Sequence, residues 1–381
     1  MPFVNPWAKT TCPYCFNPFY LGECEIVGLP TENSGFEPPI LAPRPTGMRR
    51  LKKRIWLDHL GGNYYTSKLA KRRCPTCAKL LPYQIESMSN LVIGMVGDTF
   101  SGKSTYVTAL INEIQSRNIL DSMGCTEAML LPESKDRYIR KFYEPLILRR
   151  EKLEKSTPSS LGDIIEPLIC VLVFRHGSGP FQSVKRVNLI LFDTAGEDLT
   201  KRENLAQISA YVRNAAGLIF LVDPLAIAGI SEEIPHHLRV DDLVASHFLL
   251  AEVTTLIQMQ YNLLPGDPVP IPIALTLAKA DILRFLPDFR GSAPVCFTEA
   301  DYSAGYNQQD MKTVDDEVRE LLRRYDGNAL LRASQAYTDA GFFAVSATGS
   351  SPQDDHYPVV KPLRCIDPLV WLLAKLGVIQ S

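Results

Sequence analysis

The stretch Leu91–Tyr106, LVIGMVGDTFSGKSTY, constrains this chain more than any other. Its apolar run reads as a buried strand, which leads into Gly97-x-x-x-x-Gly102-Lys103-Ser104 and then into a helical pattern. Those residue types at that spacing serve one chemistry. Glycines let successive backbone N–H groups turn inward on a phosphate, and Lys103 adds a charge for the β- and γ-phosphates. Ser104 offers a hydroxyl to Mg2+, and the start of the helix adds its dipole. Gly97, Asp98, Ser101, Gly102, Lys103, Ser104 and Thr105 form the expected phosphate-binding set, and the ligand they imply is a nucleoside triphosphate.

Other features bound the setting. The chain has 381 residues, 46% hydrophobic and 22% charged, which suits a globular protein with a sizeable core and an appendage. The formal net charge of −2 is unevenly spread. Residues 1–90 hold 12 Lys/Arg against 6 Asp/Glu, and the remainder holds 28 against 36. A small basic module (residues 1–88) is therefore expected before an acidic body (residues 89–381). No apolar run approaches the ~18 residues of a membrane span, and no signal-peptide pattern opens the chain. With nine cysteines in no secreted context, a reducing, cytoplasmic location and metal ligation are expected rather than disulfides.

The basic module carries two matching knuckles, Cys12-Pro-Tyr-Cys15 and Cys74-Pro-Thr-Cys77. Each turn aims two thiolates at one point, and two such turns close a tetrahedral Zn2+ site with no open position, so the zinc is expected to be structural. The 58 residues between the knuckles include the Pro- and Gly-rich run 28–47, read as an insertion. Tyr14, Phe16, Phe19, Leu80, Leu81 and Tyr83 supply a small apolar surface, and the metal would stabilise a unit too small to fold on that surface alone. Cys24 and His59 are substitute ligands only by type. Two basic runs, 49–54 and 68–73, read either as a solvated face or as a nucleic-acid surface, the former being favoured.

In the body, Ser104–Gln115 reads as a helix and Leu131–Lys155 as an inserted helical pair broken at Pro145, an insertion of about 131–156. Strands are expected at Leu168–Phe174, Val187–Phe192, Gly217–Val222, Ile271–Leu277 and Phe342–Val345, with helices at Leu199–Asn214, around Asp241–Leu263 and near Pro368–Leu376. This alternation predicts an α/β fold with a mostly parallel sheet, helices on both faces and ligand loops at the strands' carboxyl ends.

Three of those ends carry chemistry. After Phe192 comes Asp193-Thr194-Ala195-Gly196-Glu197, where Asp193 suits a Mg2+ site and Gly196 has a bare N–H for a γ-phosphate. After Leu277 comes Ala278-Lys279-Ala280-Asp281. The Asp281 carboxylate accepts from guanine N1–H and the exocyclic amine together, a donor pair that adenine lacks, while the Lys279 stem covers the base plane. After Val345 comes Ser346-Ala347-Thr348-Gly349, whose backbone suits guanine O6.

The ordered set GDTFSGKST, DTAG, AKAD and SATG resembles the Ras-like small GTPases of the translation-factor-related P-loop class, over about residues 91–381. The zinc ribbon before the first strand, with the helical insert before DTAG, is similar to the bacterial double-GTPase family. The resemblance implies a P-loop NTPase fold, GTP/GDP and Mg2+ as ligands, and protein partners such as a second GTPase or an activating protein. It assigns Lys103, Thr157, Gly196 and Glu197 to catalysis, Ser104 and Asp193 to Mg2+, and Lys279, Asp281, Ser346 and Ala347 to the base. Thr157 is the switch threonine on this reading, with Thr126 or a neighbouring serine as alternatives.

Two departures bear on activity. Glu197 stands where Ras-like proteins carry a water-orienting glutamine, and its charge repels the γ-phosphate, so hydrolysis is expected to be slow or partner-stimulated. Ala278 replaces an Asn or Thr, so the loop loses the side chain that ties it to the phosphate loop. A GTP-dependent switch is the leading expectation. A nucleic-acid-associated NTPase with a gripping basic ribbon, and a non-hydrolysing nucleotide-bound scaffold, are the competing ones.

Overall fold

The computed structural model describes residues 10–28, 40–44, 46–47, 70–82, 85, 91–97, 101–116, 119–154, 167–177, 183–191, 211–239, 245–289 and 294–380. The chain divides into two compact units, Met1–Asn90 with Arg186–Asn188, and Leu91–Lys185 with Leu189–Ser381.

The first unit holds a short antiparallel pair, β1 (Thr10–Thr11) and β2 (Pro18–Phe19), with Thr10 opposite Phe19. It also holds a three-stranded antiparallel sheet in which β3 (Glu25–Gly28) lies between β4 (Ile40–Ala42) and β5 (Ala70–Arg73). Glu25 faces Arg73 in the ladder and the two pair at 2.9 Å. Phe16, Phe19, Leu21, Ile26, Val27, Leu81 and Ile85 are buried. That is a small apolar core for a free-standing unit.

The second unit is built on a seven-stranded sheet. Its strands are β6 (Val92–Gly97), β7 (Cys125–Leu130), β8 (Leu168–His176), β9 (Ser183–Leu191), β10 (Gly217–Val222), β11 (Ile273–Leu277) and β12 (Ala340–Ala344). Across the sheet they run β12-β11-β10-β6-β9-β8-β7. The pairs β6–β10, β10–β11 and β11–β12 are parallel, and β7 joins β8 antiparallel at the edge. Every residue of β6, β10 and β11 is buried. Such uninterrupted apolar strands belong in a parallel sheet covered on both faces. The fold is α/β, mostly parallel, with helices on both faces and a ribbon before it.

Helix α1 (Lys103–Ser116) follows β6 directly. The segment α2 (Pro132–Tyr138) runs on into a π-helical stretch, Ile139–Leu148, with Pro145 inside it. The helical pair expected over Leu131–Lys155 is instead one helical run that turns π-helical at Ile139, carries Pro145 inside it and ends at Leu148, with 149–154 non-helical. In an α-helix the proline ring would crowd the carbonyl four residues earlier, and the wider π turn relieves this. The Arg149 N–H accordingly reaches five residues back, to Glu144 O at 3.0 Å. Beyond it, α3 (Ala228–Glu233), α4 (Ser246–Tyr261), α5 (Gln308–Arg324), α6 (Asn328–Ser334) and α7 (Asp367–Lys375) complete the unit. Helix α7 packs on β10, β11 and β12, with Leu369, Val370, Leu372 and Leu373 fully buried. Strand β7 and helices α3, α5 and α6 add to the elements that the sequence pattern predicts. Residues 211–214 end the helix expected over Leu199–Asn214, whose remainder lies outside the described residues. Among the described residues, no helix is long and apolar enough to cross a membrane.

Candidate functional site: a nucleotide cradle and a four-cysteine centre

Four loops gather at the carboxyl ends of the neighbouring strands β6, β10, β11 and β12. The first leaves β6 at Gly97. A Cβ at that position would lie 2.8 Å from Leu221 Cβ and 2.9 Å from Ser101 Oγ, so only glycine fits against β10. Gly102 has φ +78°, a conformation glycine adopts without strain. The turn it makes sets Lys103 at the start of α1, and the Gly102 carbonyl accepts the first helical bond, from Tyr106 N–H at 2.8 Å. Lys103 is buried, and its Nζ reaches back across the loop to Gly97 O at 2.8 Å. Ser101 is fully buried, while Ser104 and Thr105 are half-buried on the first turn.

The described residues here are strand, glycine turn and helix, with the lysine reaching back to the strand's last residue. The second unit is α/β with a mostly parallel sheet, the architecture expected of a P-loop NTPase. The loop after β6 is followed across the sheet by the loops that the sequence predicts to read a base. Ala278 N–H donates to Val222 O, and Ala280 N–H to Val345 O, both at 2.9 Å, which moors the AKAD turn to β10 on one side and to the end of β12 on the other. Lys279 takes a left-handed φ of +52° at the bend. Its Nζ pairs with Asp223 Oδ2 at 2.7 Å, and the Asp223 side chain is 0% exposed. Asp223 Oδ1 meanwhile accepts from Leu225 N–H at 3.0 Å.

Asp281 is held by two hydroxyls. Ser346 Oγ donates to Oδ1 at 2.6 Å and Ser351 Oγ to Oδ2 at 3.4 Å. Ser346 Oγ accepts in turn from Gly349 N–H at 2.9 Å, which closes the SATG turn beneath the carboxylate. Ala347 is half-buried on that turn. Asp281, Ser346 and Ala347 thus share one pair of neighbouring strand ends with Lys279, whose Cε passes beside Gly102. Asp223 and Ser351 are additions. Asp223 had a readable signal, an acidic residue ending an apolar strand before Pro224, whereas Ser351 had none.

The residues present fit a guanine nucleotide: Gly102 leaves room for a close backbone approach, Lys103 supplies the cation, and Asp281 is a fixed acceptor pair. Asp98, Thr157, Asp193, Gly196 and Glu197 lie outside the described residues. Thr126, the alternative to Thr157, sits on β7. Its hydroxyl donates to Val173 O at 3.3 Å and accepts from Arg175 Nε at 3.2 Å, so it serves the sheet edge.

The second centre is in the first unit. Cys12, Cys15, Cys74 and Cys77 bring their Sγ atoms within 4.8 Å of one another. The two knuckles have matching geometry. Phe16 N–H donates to Cys12 O at 2.9 Å and Ala78 N–H to Cys74 O at 3.1 Å. Tyr14 N–H points at Cys12 Sγ (3.5 Å) and Thr76 N–H at Cys74 Sγ (3.4 Å). Phe16 and Ala78 end their knuckles at φ +57° and +59°. Backbone N–H groups aimed at sulfur stabilise thiolates, and four thiolates fit a closed zinc site. Cys24 is buried outside this cluster, and burial pushes its thiol up to about 12. His59 lies outside the described residues. Of the basic run 68–73, Arg72 donates to Leu21 O at 3.1 Å and Arg73 is paired with Glu25, so both arginines serve the ribbon itself.

Comparison with known proteins adds the following. No protein-family model matches the chain. A protein of Mycolicibacterium smegmatis provisionally named ESX-1 scaffolding and assembly protein SaeC is 26% identical over 328 residues, 80% of each chain. Similar solved structures include the signal recognition particle receptor SRb-GTP/SRX complex of Chaetomium thermophilum. It is 11% identical over 70% of this chain and 95% of that one, with TM-score 0.30. The Arl6 small GTPase of Trypanosoma brucei is 14% identical over 76% and 99%, with TM-score 0.28. The GTP-bound Ski7 GTPase-like domain of S. cerevisiae is 13% identical over 76% and 50%, with TM-score 0.31.

Proposed function

We propose that this chain is a GTP-binding molecular switch, with slow or partner-stimulated hydrolysis, that acts through a protein partner in a reducing, cytoplasmic setting. The observation that carries this reading is the Asp281 carboxylate, oriented by Ser346 and Ser351, beside a lysine-closed phosphate loop. A carboxylate fixed in that place is an acceptor for two adjacent donors, the pattern of guanine's N1–H and amino group. Ser104 and Asp193 would hold Mg2+, which would neutralise phosphate charge. Gly196 would sense the γ-phosphate, with Thr157 as the switch threonine. Glu197 in place of glutamine favours a long-lived GTP state.

The four-cysteine ribbon would hold structural zinc and offer a docking module. Similarity to a protein provisionally named for scaffolding and assembly favours a protein partner, as does the internal engagement of Arg72 and Arg73. A partner could be a second GTPase or an activating protein. The test is equilibrium binding of fluorescent GDP, GTP and ATP to the full chain, followed by single-turnover phosphate release. Tight guanine binding, weak adenine binding and slow release are expected. Equal ATP binding, or none of any nucleotide, would sink the proposal.

A further inference from the structure

We infer that Asp223 is a positioning residue of the base site, holding Lys279 extended as a ready-made wall for the purine; this rests on the guanine-nucleotide reading above. Ala278 has no polar side chain with which to fix the AKAD turn. The structure shows another fixture in the neighbouring position. Lys279 leaves the end of β11, and its stem runs past the phosphate loop, where a Cβ on Gly102 would lie 3.8 Å from Lys279 Cε. It ends on Asp223, just beyond β10, at 2.7 Å. One side chain therefore spans three of the four loops at this end of the sheet.

Physical chemistry gives that span a use. A free lysine carries several rotatable bonds, and ordering it when a ligand arrives costs entropy. Pinning Nζ in advance leaves the methylenes already laid out beside the loop, so less is lost on binding. Asp223 is itself rigid, since it is fully buried and its second oxygen caps Leu225. Lys279 is 32% exposed along its side chain, so the stem keeps a face on which a base can rest.

The experiment uses the full chain with Asp223→Asn, which keeps an oxygen for the Leu225 N–H, removes the charge and turns an N–H donor instead of an acceptor toward Lys279 Nζ. Asp223→Ser, whose hydroxyl can cap the same N–H, serves as a second variant should the first fold poorly. Two ligands are titrated: fluorescent GDP, which needs the base wall, and pyrophosphate, which needs only the phosphate loop. The expected result is a loss of about tenfold in GDP affinity, the size of one charge-assisted bond, with pyrophosphate affinity within about twofold of the unsubstituted chain. Unchanged GDP affinity would overturn the inference, as would equal losses for both ligands, which would mark Asp223 as a structural residue only. If the unsubstituted chain binds pyrophosphate but prefers no base, the guanine reading falls first, and this role with it.

Discussion

Lys103 Nζ lies 2.8 Å from Gly97 O, so the lysine of the phosphate loop bridges back to the strand from which the loop departs. A carbonyl is a neutral acceptor. Phosphate oxygens are charged, and hydrogen bonds to them are roughly twice as strong as neutral ones. The ammonium is therefore stationed where a triphosphate would draw it off the backbone. Lys103→Ala is expected to abolish measurable triphosphate binding in a fluorescence titration, with thermal unfolding as the check that the fold persists. Retained binding would remove the phosphate-loop reading.

The pair of hydroxyls on Asp281 makes its carboxylate an acceptor on both oxygens. Asp281→Asn replaces one acceptor with a donor, which suits the C2 carbonyl of xanthine instead of guanine's amine. Guanine affinity should fall on the order of tenfold or more, since hydrogen bonds to charged groups contribute about 1.5–3 kcal/mol each. Xanthosine diphosphate should compete better than GDP for the variant. A variant that still prefers guanine would show that this loop does not read the base.

Nine cysteines divide into four in the cluster and five elsewhere, all five of them buried. Burial pushes the thiols of Cys125 to about 11, and of Cys170 and Cys296 to about 12, far from the reactive thiolate. A thiol reagent on the native chain at neutral pH should therefore react slowly. Adding a strong chelator should release about one zinc per chain and expose four fast thiols. Metal analysis that finds no zinc, or five or more fast thiols in the native chain, would contradict the assignment.

Arg364 is a buried cation, its side chain 1% exposed, and it meets Asp310 at 2.8 Å and Asp367 at 2.7 Å. Its Nε also donates to Val295 O and Thr298 O, so one residue ties a loop to the starts of α5 and α7. Tyr302 OH donates to Asp367 as well. Arg364→Met would leave a buried carboxylate without its cation, and breaking such a pair from one side costs about 3–5 kcal/mol. The pH dependence has a definite sign. Burial holds the Asp367 carboxyl above its ordinary value, against the pull of Arg364, and removing Arg364 raises it further. A group raised in the folded state contributes fully below its unfolded pKa and loses that contribution as pH rises through the folded one. The penalty in Arg364→Met should therefore be largest near neutrality and shrink as pH falls toward about 4. Urea unfolding at several pH values measures it, and a pH-independent penalty would contradict the account.

Much of this was legible in the sequence because its signals were local. The two knuckles and the apolar strands each announce themselves within a dozen residues, and the strand predicted at Gly217–Val222 has those same bounds in the structure. Helix α5 also carried a local signal that went unread: Met311, Val314, Val318 and Leu321 recur at helical spacing and are all buried. Strand β7 was harder, since CTEAML is short and mixed, and only its pairing with β8 makes it a strand. The partnership of Asp223 with Lys279 spans 56 positions and follows from strand order alone. A sequence names the residues at the ends of strands, but the sheet decides which ends are neighbours.

Strand β7 has one more consequence. An open β8 would present a row of unpaired amides and carbonyls, an invitation to any extended segment, including one from another copy of the chain. Here β8 lies between β9 and β7, so its backbone is already spoken for on both flanks. Whatever approaches this side of the sheet meets β7 first, where Thr126 and Glu127 are exposed and linked to Arg175. The side chains of β8 are buried from Leu168 to Phe174 as well, so an approaching segment finds neither its main chain nor its side chains and is met by β7 alone.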